Sequence, residues 1–240
     1  MKRGYVSCGI DELLLRRARA TSAKATDMQD VVETRRLPSP APRPQALAFD
    51  GEHLWMGSIA TSRLYKIDPI HWTVVAEIAT PGKPYGMTVV GNELRVVCGE
   101  GEDDDRYIGR FIPGHGFKSE KIACPDYTGS QLGFDGERLY LSQWYNRHLI
   151  PIDSDQHFGA PISLQHQICG QVVANGQHYA LTTDDEETDD YWITEVDRES
   201  GRNEDIARVP FAARALAFDG SQFWTNHREQ HEMVAFQLPH

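Results

Sequence analysis

The sequence predicts an all-β protein, a five-bladed β-propeller of four-stranded antiparallel blades closed by a strand from near its own N-terminus. Three observations carry this expectation. Glycines at 51, 91, 136, 176 and 220 sit in superposable segments separated by 40, 45, 40 and 44 residues, which is the period of a propeller blade. Each glycine is preceded and followed by a short apolar run, the signature of two strands joined by a tight turn that Asp-Gly or Asn-Gly residues tolerate. Finally, the fifth unit ends at His240 after its third strand, and a strand-like segment without a blade of its own stands at residues 31–37.

Along the chain the inner strands read Ala46-Leu47-Ala48-Phe49, Met87-Thr88-Val89-Val90, Leu132-Gly133-Phe134, Val172-Val173-Ala174 and Ala215-Leu216-Ala217-Phe218. The blades are therefore expected to begin near 46, 86, 131, 171 and 215. Second strands follow each glycine, and third strands appear in Arg63–Asp68, Tyr107–Phe111, His148–Asp153, Tyr191–Asp197 and Met233–Phe236. The outer strand is clearest in Val74-Val75-Ala76-Glu77-Ile78. Val31-Val32-Glu33-Thr34-Arg35-Arg36-Leu37-Pro38 parallels it and completes the last blade, which removes the exposed edge of an open array.

Residues 28–240 thus form one domain. Residues 1–27 lie outside the repeat as an extension, either a short helix capped by Asp11 or a partly disordered segment. No stretch reaches the roughly 18 apolar residues of a membrane span, and Leu13-Leu14-Leu15 is too short for a secretory core, so a cytoplasmic location is expected. Cys8, Cys98, Cys124 and Cys169 are widely spaced and read as small buried thiols.

The charge pattern narrows the partners. With 24 basic and 35 acidic residues the net charge is −11, which disfavours a nucleic-acid backbone. Two segments hold the entire excess: Glu100, Glu102, Asp103, Asp104 and Asp105, then Asp184, Asp185, Glu186, Glu187, Asp189 and Asp190. Both fall on the loop that leaves the second strand, in blades two and four. That loop and the one entering the inner strand converge at one end of a propeller, where ligand sites form.

Counting along the repeat brings Gln45, Tyr85, Gln131, Gln143, Trp144, Tyr145, Gln171 and Arg214 to that end as candidate ligand-binding residues. Amides on an apolar inner strand require partners in the channel, and Arg214 suits a carboxylate or an acidic loop. His227 with Glu100 or Asp184 is the candidate acid/base set, and Glu100, Asp184 and Asp185 are candidate ligands for Ca²⁺ or Mg²⁺. Carboxylates beside aromatic rings also suit a cationic small molecule or a peptide amine. The expected function is binding of a small molecule or short peptide in a central funnel, with hydrolase, lyase or cyclotransferase chemistry as its catalytic forms. The alternative is a non-catalytic scaffold presenting an acidic face to a basic protein.

The repeat grammar, an apolar strand, Asp-Gly-x-x-Leu-Trp/Tyr, Leu64-Tyr65-Lys66-Ile67-Asp68 and Val74-Val75-Ala76-Glu77-Ile78, resembles the bacterial propellers that include virginiamycin B lyase, the gluconolactonase-like proteins and the plant-type glutaminyl cyclases. The resemblance spans about residues 28–240 and implies their architecture. Gln45-Ala46-Leu47 looks like the opening Gln-Gly-Leu strand of the glutaminyl cyclases, which share the five-blade number. Where those cyclases carry a proton-transferring glutamate, this chain reads Pro84-Tyr85-Gly86-Met87. The Glu-Gly-Pro metal segment of gluconolactonases and the His and Glu pattern of the lyases are not matched either, so the resemblance implies a fold and assigns no activity.

Overall fold

A computed structural model describes residues 28–239. After β1 (Val32–Pro38), blade one comprises β2 (Pro44–Phe49), β3 (Leu54–Ser58), β4 (Arg63–Asp68) and β5 (Thr73–Ala79). Blade two comprises β6 (Lys83–Val90), β7 (Glu93–Glu100), β8 (Asp105–Ile112) and β9 (Gly116–Ala123). In blade three, β10 (Leu132–Phe134), β11 (Leu139–Gln143), β12 (His148–Ile152) and β13 (Ile162–Ser163) are all short. Blade four holds β14 (Gln167–Ala174), β15 (Gln177–Thr183), β16 (Tyr191–Val196) and β17 (Asn203–Val209). Blade five is built from β18 (Ala213–Phe218), β19 (Phe223–His227) and β20 (Glu232–Gln237), with β1 as its fourth strand.

The five antiparallel sheets and their closure agree with the expectation from the repeat. The inner strands β2, β6, β10, β14 and β18 each pack against two others, so the ring is complete. The proposed N-terminal helix lies outside the described residues. No described helix is long and apolar enough to cross a membrane. Among the described residues Cys98, Cys124 and Cys169 are free and buried, and Cys8 lies outside them.

Closure rests on more than the ladder in which Val32 faces Gln237 and Leu37 faces Met233. Arg36 bonds both Glu33 and Glu232 at 2.7 Å. Trp72 of blade one stacks on Trp224 of blade five with centroids 5.7 Å apart, and the Arg35 guanidinium lies 5.9 and 5.8 Å from the two rings. The Trp72 indole donates to the Pro38 carbonyl at 3.0 Å, and Arg35 donates to the Pro69 carbonyl at 2.8 Å. On the other side Val31 donates to the Arg208 carbonyl of blade four at 2.8 Å. The closing strand is thereby tied to three blades.

The repeat motif has a local cause. In blades one, three and five the hairpin loop opens with Asp50, Asp135 or Asp219. One carboxylate oxygen accepts two amide protons of the turn, and the other receives Trp55 Nε1 at 2.7 Å, Tyr140 Oη at 2.9 Å or Trp224 Nε1 at 2.7 Å. An aspartate five residues before an aromatic thus fixes the turn and anchors a core ring together. Blades two and four use two-residue turns instead, and Asn175-Gly176 adopts the positive φ of 52° and 80° that such a turn demands.

At the axis the strands come close. A register break falls at the start of β2, β6, β14 and β18, and at these bulges backbone groups leave the ladder. The Gln131 side-chain amide donates to the carbonyls of Gln45 (3.3 Å) and Tyr85 (2.8 Å), both bulged residues. Gln171 repeats the device toward the carbonyls of Gln131 and Tyr140, each at 3.0 Å. Beyond them, toward the hairpin end, remains a cavity of about 150 Å³ lined by Leu47, Met87, Leu132 and Leu216 among others. The two glutamines seal the middle of the channel.

A Cβ on Gly86 would stand 2.4 Å from the Ser130 carbonyl oxygen and 2.5 Å from the Gln131 Cα, both backbone atoms that cannot rotate away. Gly86→Ala is therefore expected to destabilise the propeller by about 2–3 kcal/mol, a fall of roughly 5–10 °C in Tm. Thermal unfolding measures this, and an unchanged Tm would show that the inner strands separate more easily than their contacts imply.

Candidate functional site

Above the glutamine seal, the loops entering the inner strands and those leaving the second strands form the open end. Its most built feature is a pocket of about 350 Å³ between blades four and five, lined by Glu186, Glu187, Ala212, Arg214, Arg228 and Glu229. Arg214 forms its floor. It precedes the bulge of β18, where Ala215 takes a φ of 61° and both carbonyls accept from Thr225 Oγ1, at 3.1 and 2.8 Å. This bend turns the side chain back into the entrance, where it is 3% exposed.

The guanidinium is held on several sides. Its Nη1 donates to Tyr191 Oη at 2.7 Å and to the Ala213 carbonyl at 2.8 Å. Nη2 donates to Glu186 at 2.9 Å, and the Trp144 ring lies 4.6 Å from the guanidinium carbon. Trp144 is itself fixed by donating Nε1 to Gln167 at 2.5 Å. Beside it, Arg228 donates Nη1 to Gln45 Oε1 at 3.2 Å and Nε to Glu229 at 2.9 Å. The structure thus brings together Gln45, Trp144 and Arg214 of the predicted set, while the Gln131 side chain is held at the axis by the Gln45 and Tyr85 carbonyls.

The remaining predicted residues have separate partners. Tyr85 donates to Asp104 at 2.5 Å under the Arg106 guanidinium, which lies 3.7 Å from its ring; burial and that carboxylate push its hydroxyl up to about 12. Gln143 donates to the Pro125 carbonyl and Thr128 and accepts from Asn146, so it fastens its own loop. Tyr145 is 80% exposed. Gln171 accepts from the buried His178 at 3.0 Å while donating twice, which engages every polar atom of its amide.

His227, Glu100 and Asp184 are not brought together. Glu100 accepts from Tyr107 and, at 2.7 Å, from Lys121 on the outer strand β9; Lys121 and Tyr107 hold its carboxyl below the usual range. Asp184 accepts from His166 at 2.7 Å, which is shared with Asp205 of the outer strand β17 at 3.1 Å. His227 stacks on Phe211 at 5.3 Å, and burial beside Arg36 holds its imidazole below the ordinary histidine value. Asp185 caps its own loop by accepting from the Glu187 amide at 3.0 Å. Among the described residues no group of three or more His, Cys, Asp or Glu side chains is placed to hold a metal ion.

Sequence reasoning passed over Arg228, Glu229, Glu186 and Glu187 as site residues. Arg228-Glu229 stands in the fifth repeat where Gly99-Glu100 stands in the second, a signal that charge counting over dense acidic runs obscured.

No family model matches this chain, and no curated protein does. Similarity appears among solved structures. Glutaminyl cyclase from Myxococcus xanthus superposes with a TM-score of 0.69 at 12% identity, over 88% of this chain and 98% of the other. The PQQ-bound aldose sugar dehydrogenase from Streptomyces coelicolor gives 0.56 at 12% identity, over 88% and 81%. Virginiamycin B lyase from Staphylococcus aureus gives 0.50 at 13% identity, over 85% and 99%. The chain shares the propeller architecture of these enzymes, as its repeat grammar implied.

Two histidines report on the site's surroundings with opposite sign. Asp205 and Asp184 outweigh burial and raise His166 to about 9, so the stability of its charged form is complete below about pH 6.5 and is lost as pH rises through 9. Burial depresses His178 to about 3, so its contribution is present above about pH 6.5 and declines as pH falls toward 3. Histidine NMR titration should find His166 deprotonating near pH 9 and His178 neutral down to about pH 4, and His166→Gln should flatten the alkaline slope of stability. Midpoints near 6.5 for both would refute these environments.

Proposed function

We propose that this propeller binds a small molecule or short peptide in the pocket floored by Arg214. The observation that carries this reading is the pocket itself, about 350 Å³ at the open end of the ring, with a buried guanidinium at its base and a second one, Arg228, on its wall. Ligand pockets present a few fixed polar groups, and here the Trp144 ring backs the Arg214 guanidinium while Ala212 gives the lining its apolar part. The fold is one used by enzymes, as the similar structures show, and catalysis would require an acid/base group drawn from the pocket carboxylates.

The acidic face favours this reading over a scaffold for a basic protein. Glu100, Asp104, Asp184 and Glu186 are engaged with Lys121, Arg106, His166 and Arg214, so part of the negative charge neutralises the protein's own cations. A charge so engaged is less available to an outside partner.

A thermal-shift screen against a defined panel of amino acids, short peptides, amines and organic acids tests the proposal. A ligand present at about 100 times its Kd stabilises by about 2.7 kcal/mol, a rise of roughly 5–10 °C. Ala212→Trp, which fills the pocket from its wall, should abolish that rise in a protein that still unfolds in one cooperative transition, with an unliganded Tm lower by at most about 10 °C. A rise that persists undiminished in Ala212→Trp would place the ligand elsewhere.

A further inference from the structure

The guanidinium at the floor of the pocket is incompletely used. Nη1 makes two hydrogen bonds inside the protein, but on the opposite edge only Nη2 is engaged, by one oxygen of Glu186 at 2.9 Å, and the buried Nε has no partner. Nε–H and one Nη2–H project in parallel, in the guanidinium plane, from one edge of the group, at the spacing of the two oxygens of a carboxylate. A buried N–H without a partner is unfavourable, and the cost is recovered when both positions of the edge are filled.

Glu186 is suited to leaving. It lies in the loop between β15 and β16, its side chain is 41% exposed, and its carboxylate would be solvated after swinging outward. Arg214 is suited to staying. Tyr191, the Ala213 carbonyl and the Trp144 ring fix its plane before any ligand arrives, so little order remains to be imposed on binding.

We infer that the ligand carries a carboxylate that takes the Nε/Nη2 edge of Arg214 in place of Glu186. This rests on the proposed ligand pocket and names the chemical class it accepts. The rest of the lining decides between a carboxylate and a phosphate. Once Glu186 has swung out, Glu187 and Glu229 balance Arg214 and Arg228, so a dianion meets no excess of positive charge, whereas an ammonium on the same ligand meets Glu187 and Glu229. The class is therefore a small zwitterion, an amino acid or a short peptide with a free C-terminus.

Calorimetric titration with triglycine, triglycine amide, N-acetyl-triglycine and inorganic phosphate tests this on the full chain. Triglycine is expected to bind, its C-terminal amide at least tenfold more weakly, the N-acetyl form more weakly than triglycine, and phosphate least. Glu186→Gln removes the competing carboxylate and should tighten triglycine about three- to tenfold, while Arg214→Lys, which keeps the charge and loses the fork, should weaken it at least tenfold. If Arg214→Lys does not fold, the acid and amide comparison and Glu186→Gln decide alone. Equal binding of acid and amide, tighter binding of phosphate, weaker binding in Glu186→Gln, or silence from all four probes in both the wild type and Glu186→Gln would each overturn the inference. Ala212→Trp separates the two claims: amide binding as tight as acid binding but lost in Ala212→Trp leaves the pocket standing and removes only the carboxylate, whereas binding that survives Ala212→Trp removes the pocket.

Discussion

The pairing of β1 with β20 is the constraint on which the rest of the molecule depends. Five blades twisted about a common axis leave one gap, and here it is filled by a strand that also meets blade one through Arg35 and the Pro38 carbonyl, and whose lead-in, Asp30 and Val31, meets blade four. Without it blade five would lack its outer strand and leave the edge of β20 unpaired. Arg214 projects from the start of β18, the innermost strand of that same blade.

Within the ring, one hairpin design has diverged into two. The Asp-Gly loops of blades one, three and five carry an aromatic anchor, and the two-residue turns of blades two and four do not. The inner strands diverge as well. Bulges free the Gln45 and Tyr85 carbonyls toward the axis and Gln131 answers them, while Gln171 reaches the Gln131 and Tyr140 carbonyls, so both amides serve first as structural members of a crowded channel.

Much of this was legible in the residues. Turn glycines and the Asp-to-aromatic spacing act locally, so their order along the chain is also their order around the ring, and the orphan strand at residues 31–37 was recognisable by its likeness to Val74–Ile78. The site was less so. A repeat position identifies the loop a residue occupies but not the direction its side chain takes from it. Glu100 and Asp184 share a loop type with the pocket residues, yet both turn to cations near the outer strands, Lys121 and His166, because an opposite charge close by outweighs the open solvent of the funnel. Arg214 was read as the partner of a carboxylate or an acidic loop; its burial and the vacant Nε depend on the bulge at Ala215, which no composition rule announces.

Closure by the first strand also orders events in time. A chain leaving the ribosome presents β1 long before β20, its antiparallel partner, has been made, and Val32, exposed even in the finished propeller, waits with it. The entropic penalty of closing so long a loop grows only as about (3/2)RT ln n, so the delay weighs on the rate of assembly more than on final stability. Four blades can stack as they emerge, each on the one before, but the fifth becomes whole only when β20 has been made and meets β1. The pocket, set between blades four and five, consequently has no floor until the chain has reached the fifth blade.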